Sequence, residues 1–487
     1  MMKPLSDILN QVRLLASRGD MSVSVASIAF DSRQVQRGGM FIAVKGTRYD
    51  GHAFIDQVIA SGASVIVAET EPDPATDVIW ITVQDSAQAL GVIASNFFGD
   101  PSSQLKLTGV TGTNGKTTVA TLLFNLFSAL GYRCGMLSTV VNRIVDNVIP
   151  STHTTPDPIQ LNAMLAQMVE AGCTHCFMEV SSHAVDQGRI AGLHFAGGIF
   201  TNITHDHLDY HVTFDNYIRA KKGFFDGLGP DAFALVNADD KRGAVMLQNC
   251  RAKRQSFSLQ RMADFRARII TNSIEGLELE IGGRQVWFRL AGDFNAYNLL
   301  AVFAAATLLG EDADAVLTSL SSLTGAAGRF EVVLPGHRYT AIVDYAHTPD
   351  ALQNVLETID RFSTGQGQVI SVLGCGGDRD RSKRPLMAAI ACKLSDKVIL
   401  TSDNPRSEDP MAIIDEMKGG LLPADLKKTL VQPDRAEAIR TACMLAQDHD
   451  IVLVAGKGHE TYQEIAGVRH PFDDREVLRN VMTSTTN

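Results

Sequence analysis

The chain has 487 residues and a formal net charge of −10. That length corresponds to about three domains. Hydrophobic residues make up 45% of the sequence and charged residues 20%, a composition typical of globular proteins that excludes an intrinsically disordered chain. The negative net charge argues against nucleic acid as a partner, so any anionic ligand must be bound by local basic groups.

The sequence contains no segment typical of secretion or membrane insertion. Asp7 and Arg13 interrupt the N-terminal segment where a signal peptide would be apolar. The longest apolar stretch, residues 296–309, is shorter than the roughly 18 residues of a membrane span. Seven cysteines are scattered along the chain, and we interpret the lone pair Cys173 and Cys176 as packing residues with reduced thiols. We therefore expect a cytoplasmic protein with no membrane span.

Residues 1–103 are predicted to form a small α/β domain. Short apolar runs predict strands, and a helical run lies between the second and the third of them. The sequence GDPSS at 99–103 is a predicted linker. The predicted strands cover residues 27–30, 40–44, 65–68 and 78–83, and the helix covers 53–61.

Residues 104–332 are predicted to form a central domain of the P-loop ATPase type. Helical patterns separate most of its predicted strands, which favours a mainly parallel sheet with helices. Residues 256–290 alternate as antiparallel strands do, and we expect them to form a small appended sheet. The other predicted strands cover residues 135–139, 175–179, 198–201 and 232–237, after the strand that precedes the glycine-rich loop.

Residues 333–487 repeat one pattern, in which an apolar strand runs into a polar loop. The pattern occurs in TAIVDYAHTPD, QVISVLGCGGDRD, KVILTSDNPRSED and DIVLVAGKGHE. In an open parallel sheet such loops gather at the carboxyl ends of the strands, where ligands bind. We therefore expect a Rossmann-like α/β domain, so the predicted fold class is α/β with three domains.

The segment GVTGTNGKTT at 109–118 predicts a phosphate-binding loop. It follows a predicted strand and opens an amphipathic helix, as such a loop requires. Gly112 and Gly115 allow backbone N–H groups to approach phosphate closely. Lys116 is placed to reach the terminal phosphates and Thr117 to bind Mg²⁺. Val110 stands where the strict motif has glycine.

Acidic residues and histidines cluster after two further strands. Glu179 ends the segment HCFMEV, and TNITHDHLDYH at 201–211 contains three histidines and two aspartates. Such a cluster at strand ends suits metal or phosphate chemistry. Lysine has donors only and is no metal ligand, so from the residues alone Lys221 and Lys222 lie on a helix face or contact phosphate.

The chain resembles the Mur ligase family over essentially its whole length. The resemblance rests on motifs that follow one another in order: FDSRQV (30–35), TGTNGKTT (111–118), THTTPD (152–157), MEVSSHAVDQGR (178–189), TNITHDHLDYH (201–211), YIRAK (217–221), GDFNAYN (292–298), GRFE (328–331), VDYAHTPD (343–350), GCGGDRDRSKRP (374–385), DNPR (403–406) and GKGHE (456–460).

The resemblance implies an ATP-dependent ligase in peptidoglycan precursor synthesis. It is strongest to the members that add meso-diaminopimelate to UDP-N-acetylmuramoyl-L-alanyl-D-glutamate. We therefore also expect the protein to act in the cytoplasm and as a monomer. ATP would phosphorylate the D-glutamate γ-carboxylate, and the amine of diaminopimelate would then displace phosphate. His205, Asp206 and His347 are candidates for the base that deprotonates this amine.

The resemblance also implies roles for residues at the nucleotide and metal sites. In this family the lysine of the Y-x-x-A-K pattern is carbamylated by CO₂, and here that lysine is Lys221. The carbamate would join Thr117, Glu179 and His207 around two Mg²⁺ ions, and with Lys116 these residues form the predicted catalytic set. The implied nucleotide contacts are Gly112, Thr113, Asn114, Gly115, Lys116, Thr117, Thr118, Asn295, Asn298, Arg329 and Asp344.

The remaining implied contacts belong to the other two substrates. Arg406 of DNPR is suited to a bidentate contact with a carboxylate, and Asp403 and Glu460 are suited to an ammonium group. The implied diaminopimelate contacts are Arg379, Asp403, Asn404, Pro405, Arg406, Gly456 and Glu460. The implied contacts to the UDP-linked dipeptide are Ser32, Thr154, Thr155, Ser181, Gln187 and Arg189.

Three alternatives remain at this point. The chain could be a tripeptide synthetase that adds lysine or a ligase of the folylpolyglutamate synthase type, although FDSRQV and DNPR argue against both. It could also be a P-loop nucleotide switch that ligates nothing. A switch would not explain why the GKGHE loop, the DNPR loop and the lysine of YIRAK occur in one chain.

Overall fold

The computed structural model describes residues 2–46, 49–151, 153–204, 206, 208–333, 338–362 and 367–484. Its strands form three main sheets and two short hairpin-like pairs. Within this described part of the chain, no helix is both long and apolar enough to cross a membrane.

The N-terminal region is built on a five-stranded sheet of order β2-β7-β6-β5-β4, counted over the described residues. The central strands β5, β6 and β7 pair in parallel, and β2 joins the edge in antiparallel orientation. The strands are β1 (Lys3–Pro4), β2 (Leu14–Arg18), β3 (Ser24–Val25), β4 (Ile28–Ala29), β5 (Met40–Ile42), β6 (Val65–Ala68) and β7 (Ile79–Val83), and the helices are α1 (Leu5–Ile8), α2 (Ile55–Ala60) and α3 (Ser86–Phe97).

The middle region contains an eleven-stranded sheet among the residues that are described. The strands are β8 (Lys106–Thr111), β9 (Cys134–Leu137), β10 (Val141–Ile144), β11 (Asn147–Pro150), β12 (His175–Glu179), β13 (Gly197–Phe200), β14 (Phe233–Asn237), β15 (Lys253–Ser258), β16 (Phe265–Ser273), β17 (Gly276–Ile281) and β18 (Arg284–Phe288). The six strands in the order β9-β12-β8-β13-β14-β15 all pair in parallel.

Helices cover both faces of the parallel part of this sheet. Residues of α4 and α10 belong to the apolar core on one face, and residues of α5 and α8 belong to the core on the other. This double cover explains why β9, β12, β13 and β14 are buried along their whole length. The helices of the region are α4 (Lys116–Ala129), α5 (Pro158–Glu170), α6 (Ser182–Asp186), α7 (Leu208–His211), α8 (Phe214–Asp226), α9 (Gly243–Met246), α10 (Asp293–Leu308) and α11 (Ala313–Ser322).

The segment 256–290 is antiparallel, as its alternation predicts, but it does not form a separate sheet. Strands β16, β17 and β18 pair in antiparallel orientation, while β16 also pairs in parallel with the end of β15 through Phe257 and Ser258. The expectation of a small appended sheet is therefore wrong, because this short parallel contact continues the large sheet into the antiparallel strands.

The C-terminal region has a six-stranded sheet of order β19-β20-β24-β21-β22-β23 within the described residues. All its strand pairs are parallel except the pair between β19 and β20. The elements are β19 (Glu331–Val333), β20 (Thr340–Asp344), β21 (Val369–Cys375), β22 (Lys397–Ser402), β23 (Thr429–Val431), β24 (Ile451–Ala455), β25 (Tyr462–Ile465), β26 (Val468–Pro471), α12 (Pro349–Phe362), α13 (Lys383–Leu394), α14 (Pro410–Lys418), α15 (Pro423–Leu426), α16 (Arg435–Leu445) and α17 (Asp474–Ser484).

The α/β fold class and the mainly parallel sheets agree with the expectation from sequence. Strand β19 starts at Glu331, so the C-terminal sheet begins slightly before the predicted start of the last domain. The three domain boundaries themselves stay a prediction.

A buried ion pair ties together the strand ends of the C-terminal sheet. Arg435 at the start of α16 and Asp474 at the start of α17 have fully buried side chains, with Arg435 Nε 2.8 Å from Asp474 Oδ1. The Arg435 guanidinium also donates to the carbonyl oxygens of Ser402 and Ala455, the last residues of β22 and β24. Each of the three guanidinium nitrogens therefore has a hydrogen-bond partner inside the protein.

We expect Arg435→Met to destabilise the protein strongly, because it leaves the Asp474 carboxylate buried without its cation. Removal of one partner of such a pair costs about 3–5 kcal/mol. The combined variant Arg435→Met with Asp474→Leu should recover much of that loss, since no charge is left unpaired. Thermal unfolding of the three proteins measures this, with Arg440→Ala on the exposed side of α16 as the control. Equal destabilisation by the single and combined variants would contradict the interpretation.

Candidate active site

The predicted phosphate loop lies between the end of β8 and the start of α4. Gly115 has φ +88°, and a Cβ there would lie 2.5 Å from Asn298 Oδ1, so only glycine fits this close approach. The loop is held from β13 and the residues after it. Thr201 Oγ1 donates to Asn114 O at 2.6 Å, and Asn114 N donates to Asn202 Oδ1 at 2.9 Å. The backbone amides of the loop are thus preorganised at a helix start, the arrangement that binds phosphate.

Two lysine ammonium groups converge on one carbonyl oxygen of this loop. Lys116 Nζ donates to Gly112 O at 2.9 Å, and Lys221 Nζ donates to the same oxygen at 2.7 Å. Lys221 comes from α8 and is only 1% exposed. Burial lowers the pKa of Lys221 well below its ordinary value, and the neighbouring Lys116 lowers it further. Burial also lowers the pKa of Lys116, against the opposing effect of Glu179.

A carboxylate and a hydroxyl meet beside these lysines. Thr117 Oγ1 donates to Glu179 Oε1 at 2.9 Å. Glu179, at the end of β12, is 1% exposed, and Thr139 holds its carboxylate through its backbone N–H at 2.8 Å and its hydroxyl at 3.2 Å. Arg329 Nη2 reaches Thr117 Oγ1 at 3.2 Å from the other side of the cleft.

The Thr117 hydroxyl and the Glu179 carboxylate are hard oxygen donors, which fits Mg²⁺. His207 and His205 lie outside the described residues, so this part of the prediction is not placed. Among the described residues, no three His, Cys, Asp or Glu side chains are grouped closely enough to hold a metal ion by themselves.

A cleft of about 390 Å³ lies between the middle and C-terminal regions. Six of the predicted nucleotide contacts line it: Asn114, Gly115, Thr118, Asn298, Arg329 and Asp344. Asn295 lies one helical turn from Asn298, which donates to Asn295 Oδ1 at 3.1 Å. Across the cleft, Asp350 of α12 accepts hydrogen bonds from Asn114 and Thr204, so the two regions meet at the phosphate loop.

Burial changes the protonation of two groups in the cleft. It raises the pKa of Asp344 to about 6, although the nearby Arg329 opposes this shift. It lowers the pKa of His347 to about 4, so this imidazole is neutral near pH 7. Of the three candidate bases, His347 lines the cleft as a neutral imidazole, and Asp206 is half-buried.

The predicted contacts to the UDP-linked dipeptide form one network, with one exception. Arg189 donates to Thr155 O at 2.7 Å and to Gln187 Oε1 at 2.6 Å, and Ser181 N donates to Thr155 Oγ1 at 3.2 Å. Thr154 Oγ1 accepts from Thr139, the residue that holds Glu179. Ser32 lies in the N-terminal region, and no hydrogen bond among the described residues joins it to this network.

The predicted amino-acid contacts lie at the carboxyl ends of β21, β22 and β24. Arg406 is half-buried with φ +53°, and its Nη1 donates to Gly377 O at 2.7 Å. Among the described residues, no other hydrogen bond holds its guanidinium. Asn404 Nδ2 donates to Glu460 Oε2 at 2.7 Å. Gly456 has φ +117°, and a Cβ there would lie 2.5 Å from Asp403 Oδ2. Arg379 is exposed near Gly376.

Several residues that hold the predicted contacts were not singled out from sequence. Thr139 positions Glu179, Asp350 binds Asn114, and Lys457 binds both Asn404 and Glu460. Lys457 and Asp350 fall inside the quoted motifs GKGHE and VDYAHTPD. Thr139 is the last residue of the predicted strand 135–139, and the rule that parallel strand ends converge would have been the signal for it.

Comparisons with known proteins agree along the chain. Family models match residues 24–98 (Mur ligase family, catalytic domain), 110–306 (Mur ligase middle domain) and 328–458 (Mur ligase, glutamate ligase domain). A UDP-N-acetylmuramoyl-L-alanyl-D-glutamate–2,6-diaminopimelate ligase from Cytophaga hutchinsonii is 59% identical, covering 98% of this chain and 99% of that protein. A protein of the same name from Bacillus cereus is 41% identical, covering 95% of each.

Solved structures match over similar lengths. A structure of a UDP-N-acetylmuramoyl-L-alanyl-D-glutamate–2,6-diaminopimelate ligase has a TM-score of 0.72 and 35% identity, covering 100% of both chains. A folylpolyglutamate synthase from Mycobacterium tuberculosis has a TM-score of 0.61 and 18% identity, covering 76% of this chain and 92% of that one. At 18% identity, the similarity to folylpolyglutamate synthase shows a shared fold and nothing more.

The raised pKa of Asp344 predicts a pH-dependent contribution to stability. Its folded pKa of about 6 lies above the ordinary value of 3.8, so its penalty is absent at low pH and complete above the folded pKa. Relative to Asp344→Asn, the wild type should therefore lose roughly 3 kcal/mol of unfolding free energy in total as pH rises from about 3 to about 7. Unfolding of the nucleotide-free proteins across that range measures it, with Asp360→Asn on the exposed side of α12 as control. A constant difference between wild type and Asp344→Asn would contradict the assignment.

Proposed function

The chain belongs to the Mur ligase family, and from this premise we propose that it joins meso-diaminopimelate to UDP-N-acetylmuramoyl-L-alanyl-D-glutamate at the expense of ATP. The products would be the UDP-linked tripeptide, ADP and phosphate, for peptidoglycan synthesis. Relatives named for this reaction are 59% and 53% identical over nearly the full chain.

The observation that carries the choice of amino acid is the Arg406 guanidinium. Only one of its donors is used by the described residues, in the contact with Gly377 O. Its planar fork therefore has donors left for a carboxylate. Glu460 and Asp403 lie on neighbouring loops and carry the charge that an ammonium group needs. An amino acid with both groups at its far end, such as diaminopimelate, matches this set.

We propose that ATP occupies the cleft, with its phosphates at the loop 112–118. Lys116 would neutralise charge on the terminal phosphates, and Arg329 would approach from the C-terminal region through its contact at Thr117. Thr117 and Glu179 would hold Mg²⁺, together with His207 and Lys221. Bound there, Mg²⁺ would offset the negative charge that develops during phosphoryl transfer.

We propose that Lys221 is carbamylated by CO₂, which makes it an oxygen ligand for two Mg²⁺ ions. The family motif carries this proposal, and the position of Lys221 supports it. Its Nζ shares the Gly112 carbonyl with Lys116, so a second ammonium is unfavourable there and a neutral amine, the form that reacts with CO₂, is favoured. Carbamylation would replace one of two adjacent cations with an anion.

The chemistry would proceed in two steps in which the protein mainly positions its substrates. ATP transfers its γ-phosphate to the D-glutamate γ-carboxylate and leaves as ADP. The amine of diaminopimelate then attacks the acyl carbon, loses a proton and displaces phosphate as the amide forms. The network of Thr155, Gln187 and Arg189 would orient the dipeptide, and Ser32 would contact the UDP moiety. His347 stays one of three candidates, with His205 and Asp206, for the base that accepts the amine proton.

The alternatives fit less well. Family membership excludes a nucleotide switch that ligates nothing, and the likeness to folylpolyglutamate synthase reaches only 18% identity. A lysine-adding synthetase would leave the Arg406 guanidinium without a carboxylate partner, with only its contact to Gly377 O. We also propose that the enzyme works in the cytoplasm as a monomer, since all the predicted contacts come from one chain and ATP and free cysteines both suit that compartment.

We expect Lys221→Ala to lose activity by at least about 100-fold, because the anionic oxygens of the carbamate would be missing from the site. A short carboxylic acid added to the buffer should restore part of the rate by replacing those oxygens. Lys222→Ala is a matched control, since Lys222 pairs with Asp226 on the same helix. Steady-state rates with and without the acid measure both the loss and the rescue. Full activity of Lys221→Ala would contradict the proposal.

We expect Arg406→Ala to reduce kcat/KM for diaminopimelate far more than for lysine. In the wild type, lysine would leave the half-buried guanidinium unpaired, at a cost of roughly 1–3 kcal/mol, or about tenfold in selectivity. Arg406→Ala removes that cost and so reduces the difference in kcat/KM between diaminopimelate and lysine. Arg381→Ala is the control, because it removes a nearby positive charge that pairs with Glu408 instead. Equal losses for both amino acids would show that Arg406 is structural.

A further inference from the structure

Lys457 is a fully buried lysine inside the predicted amino-acid pocket, and the activity described so far gives it no role. Its side chain is 0% exposed. Its Nζ donates to Glu460 Oε2 at 2.8 Å and to Asn404 Oδ1 at 3.0 Å. Asn404 in turn donates to Glu460 Oε2 at 2.7 Å. The three side chains therefore form a closed triangle between the DNPR loop and the GKGHE loop.

The triangle leaves one face of the Glu460 carboxylate open. Lys457 and Asn404 both donate to Oε2, and no hydrogen bond among the described residues reaches Oε1. The amide of Asn404 cannot turn over, because its oxygen also accepts from Glu464 N at 2.9 Å. Lys457 thus fixes the direction in which Glu460 presents its free oxygen to a ligand.

Lys457 also contributes one positive charge to the net charge of the pocket. The two loops carry two carboxylates, Asp403 and Glu460, and two cations, Arg406 and Lys457. Burial lowers the pKa of the adjacent His459 to about 3, which keeps that ring neutral. The four charges of these two loops sum to zero, and the exposed Arg379 near Gly376 adds one positive charge outside them. Without Lys457 the sum would be −1, which favours a ligand whose far end is a lone cation.

We propose that Lys457 is a specificity-determining residue, which neutralises one pocket carboxylate so that the site selects an amino acid whose far end is an ammonium–carboxylate pair. This inference rests on the proposed function. It assigns discrimination to two groups, since Arg406 attracts the distal carboxylate while Lys457 removes the excess negative charge that would reward an ammonium alone. The pocket would then reject free L-lysine as a substrate partly on electrostatic grounds, which is a form of selection against the wrong ligand.

The test is the ratio of kcat/KM for meso-diaminopimelate to that for L-lysine in the full-length enzyme. Lys457→Met should lower this ratio at least about tenfold, because Glu460 loses its internal counter-ion. The KM values for ATP and the UDP-dipeptide should stay within about twofold. A merely structural lysine would reduce kcat/KM for both amino acids by the same factor, and an unchanged ratio would overturn the proposal.

A second pair of variants covers the case in which Lys457→Met does not fold. Glu460→Gln alone leaves Lys457 in excess, so the ratio should rise above that of the wild type. Adding Lys457→Met to Glu460→Gln leaves no unpaired buried charge and should return the ratio towards the wild-type value. The proposal is wrong if the second substitution leaves the ratio of the Glu460→Gln enzyme unaltered.

Lys428→Met supplies the matched control, because Lys428 also donates to backbone carbonyls of the same domain, those of Cys392 and Ser395. It should leave the ratio unchanged. A wild type that does not prefer diaminopimelate to lysine would contradict the proposed function itself. A wild-type preference that survives in Lys457→Met would contradict only the role of Lys457.

Discussion

The side-chain nitrogens of Lys116 and Lys221 share a single carbonyl oxygen, that of Gly112, at 2.9 Å and 2.7 Å. Two ammonium groups in this buried place would repel each other strongly, since like charges at short range and low dielectric do so unless negative charge is supplied. Glu179 and Asp206 provide carboxylates near by, and Arg329 adds a further cation. The phosphate loop, Lys221 and Arg329 therefore form a site that is short of anions. Nucleotide phosphates, and a carbamate on Lys221, are the groups that correct this shortage.

The fold explains why these groups meet. The phosphate loop follows β8, Glu179 ends β12, and the segment from Thr201 follows β13, three neighbouring strands of one parallel sheet. Their carboxyl ends lie at the same edge, as do those of β20, β21, β22 and β24 in the C-terminal sheet. The cleft lies between these two edges, and the hydrogen bond from Asn114 to Asp350 crosses it. A ligase that must join three substrates needs such convergence, because positioning is most of its task.

The sequence predicted the parts that depend on local pattern. Strand, glycine loop and helix in one run identify the phosphate loop, and the repeated strand-to-loop pattern identifies the C-terminal sheet. It could not predict partners that come together only in three dimensions. Thr139, just after β9, holds Glu179 from 40 residues away in sequence. The β15–β16 contact joins the antiparallel strands to the parallel part of the sheet through two residue pairs. Lys457 lies inside a recognised motif, yet its burial between Asn404 and Glu460 is visible only in the fold. The roles of His205 and His207 stay predictions, as both lie outside the described residues.

The most direct test of the account is to identify the product formed by the wild-type enzyme. The protein is incubated with ATP, Mg²⁺ and UDP-N-acetylmuramoyl-L-alanyl-D-glutamate, with meso-diaminopimelate or L-lysine supplied in separate reactions. The product masses are measured by mass spectrometry, and the released phosphate is quantified. The account predicts the diaminopimelate tripeptide, with one phosphate released per amide and little product from lysine. Sustained phosphate release without an amino acid, or lysine used as well as diaminopimelate, would contradict it.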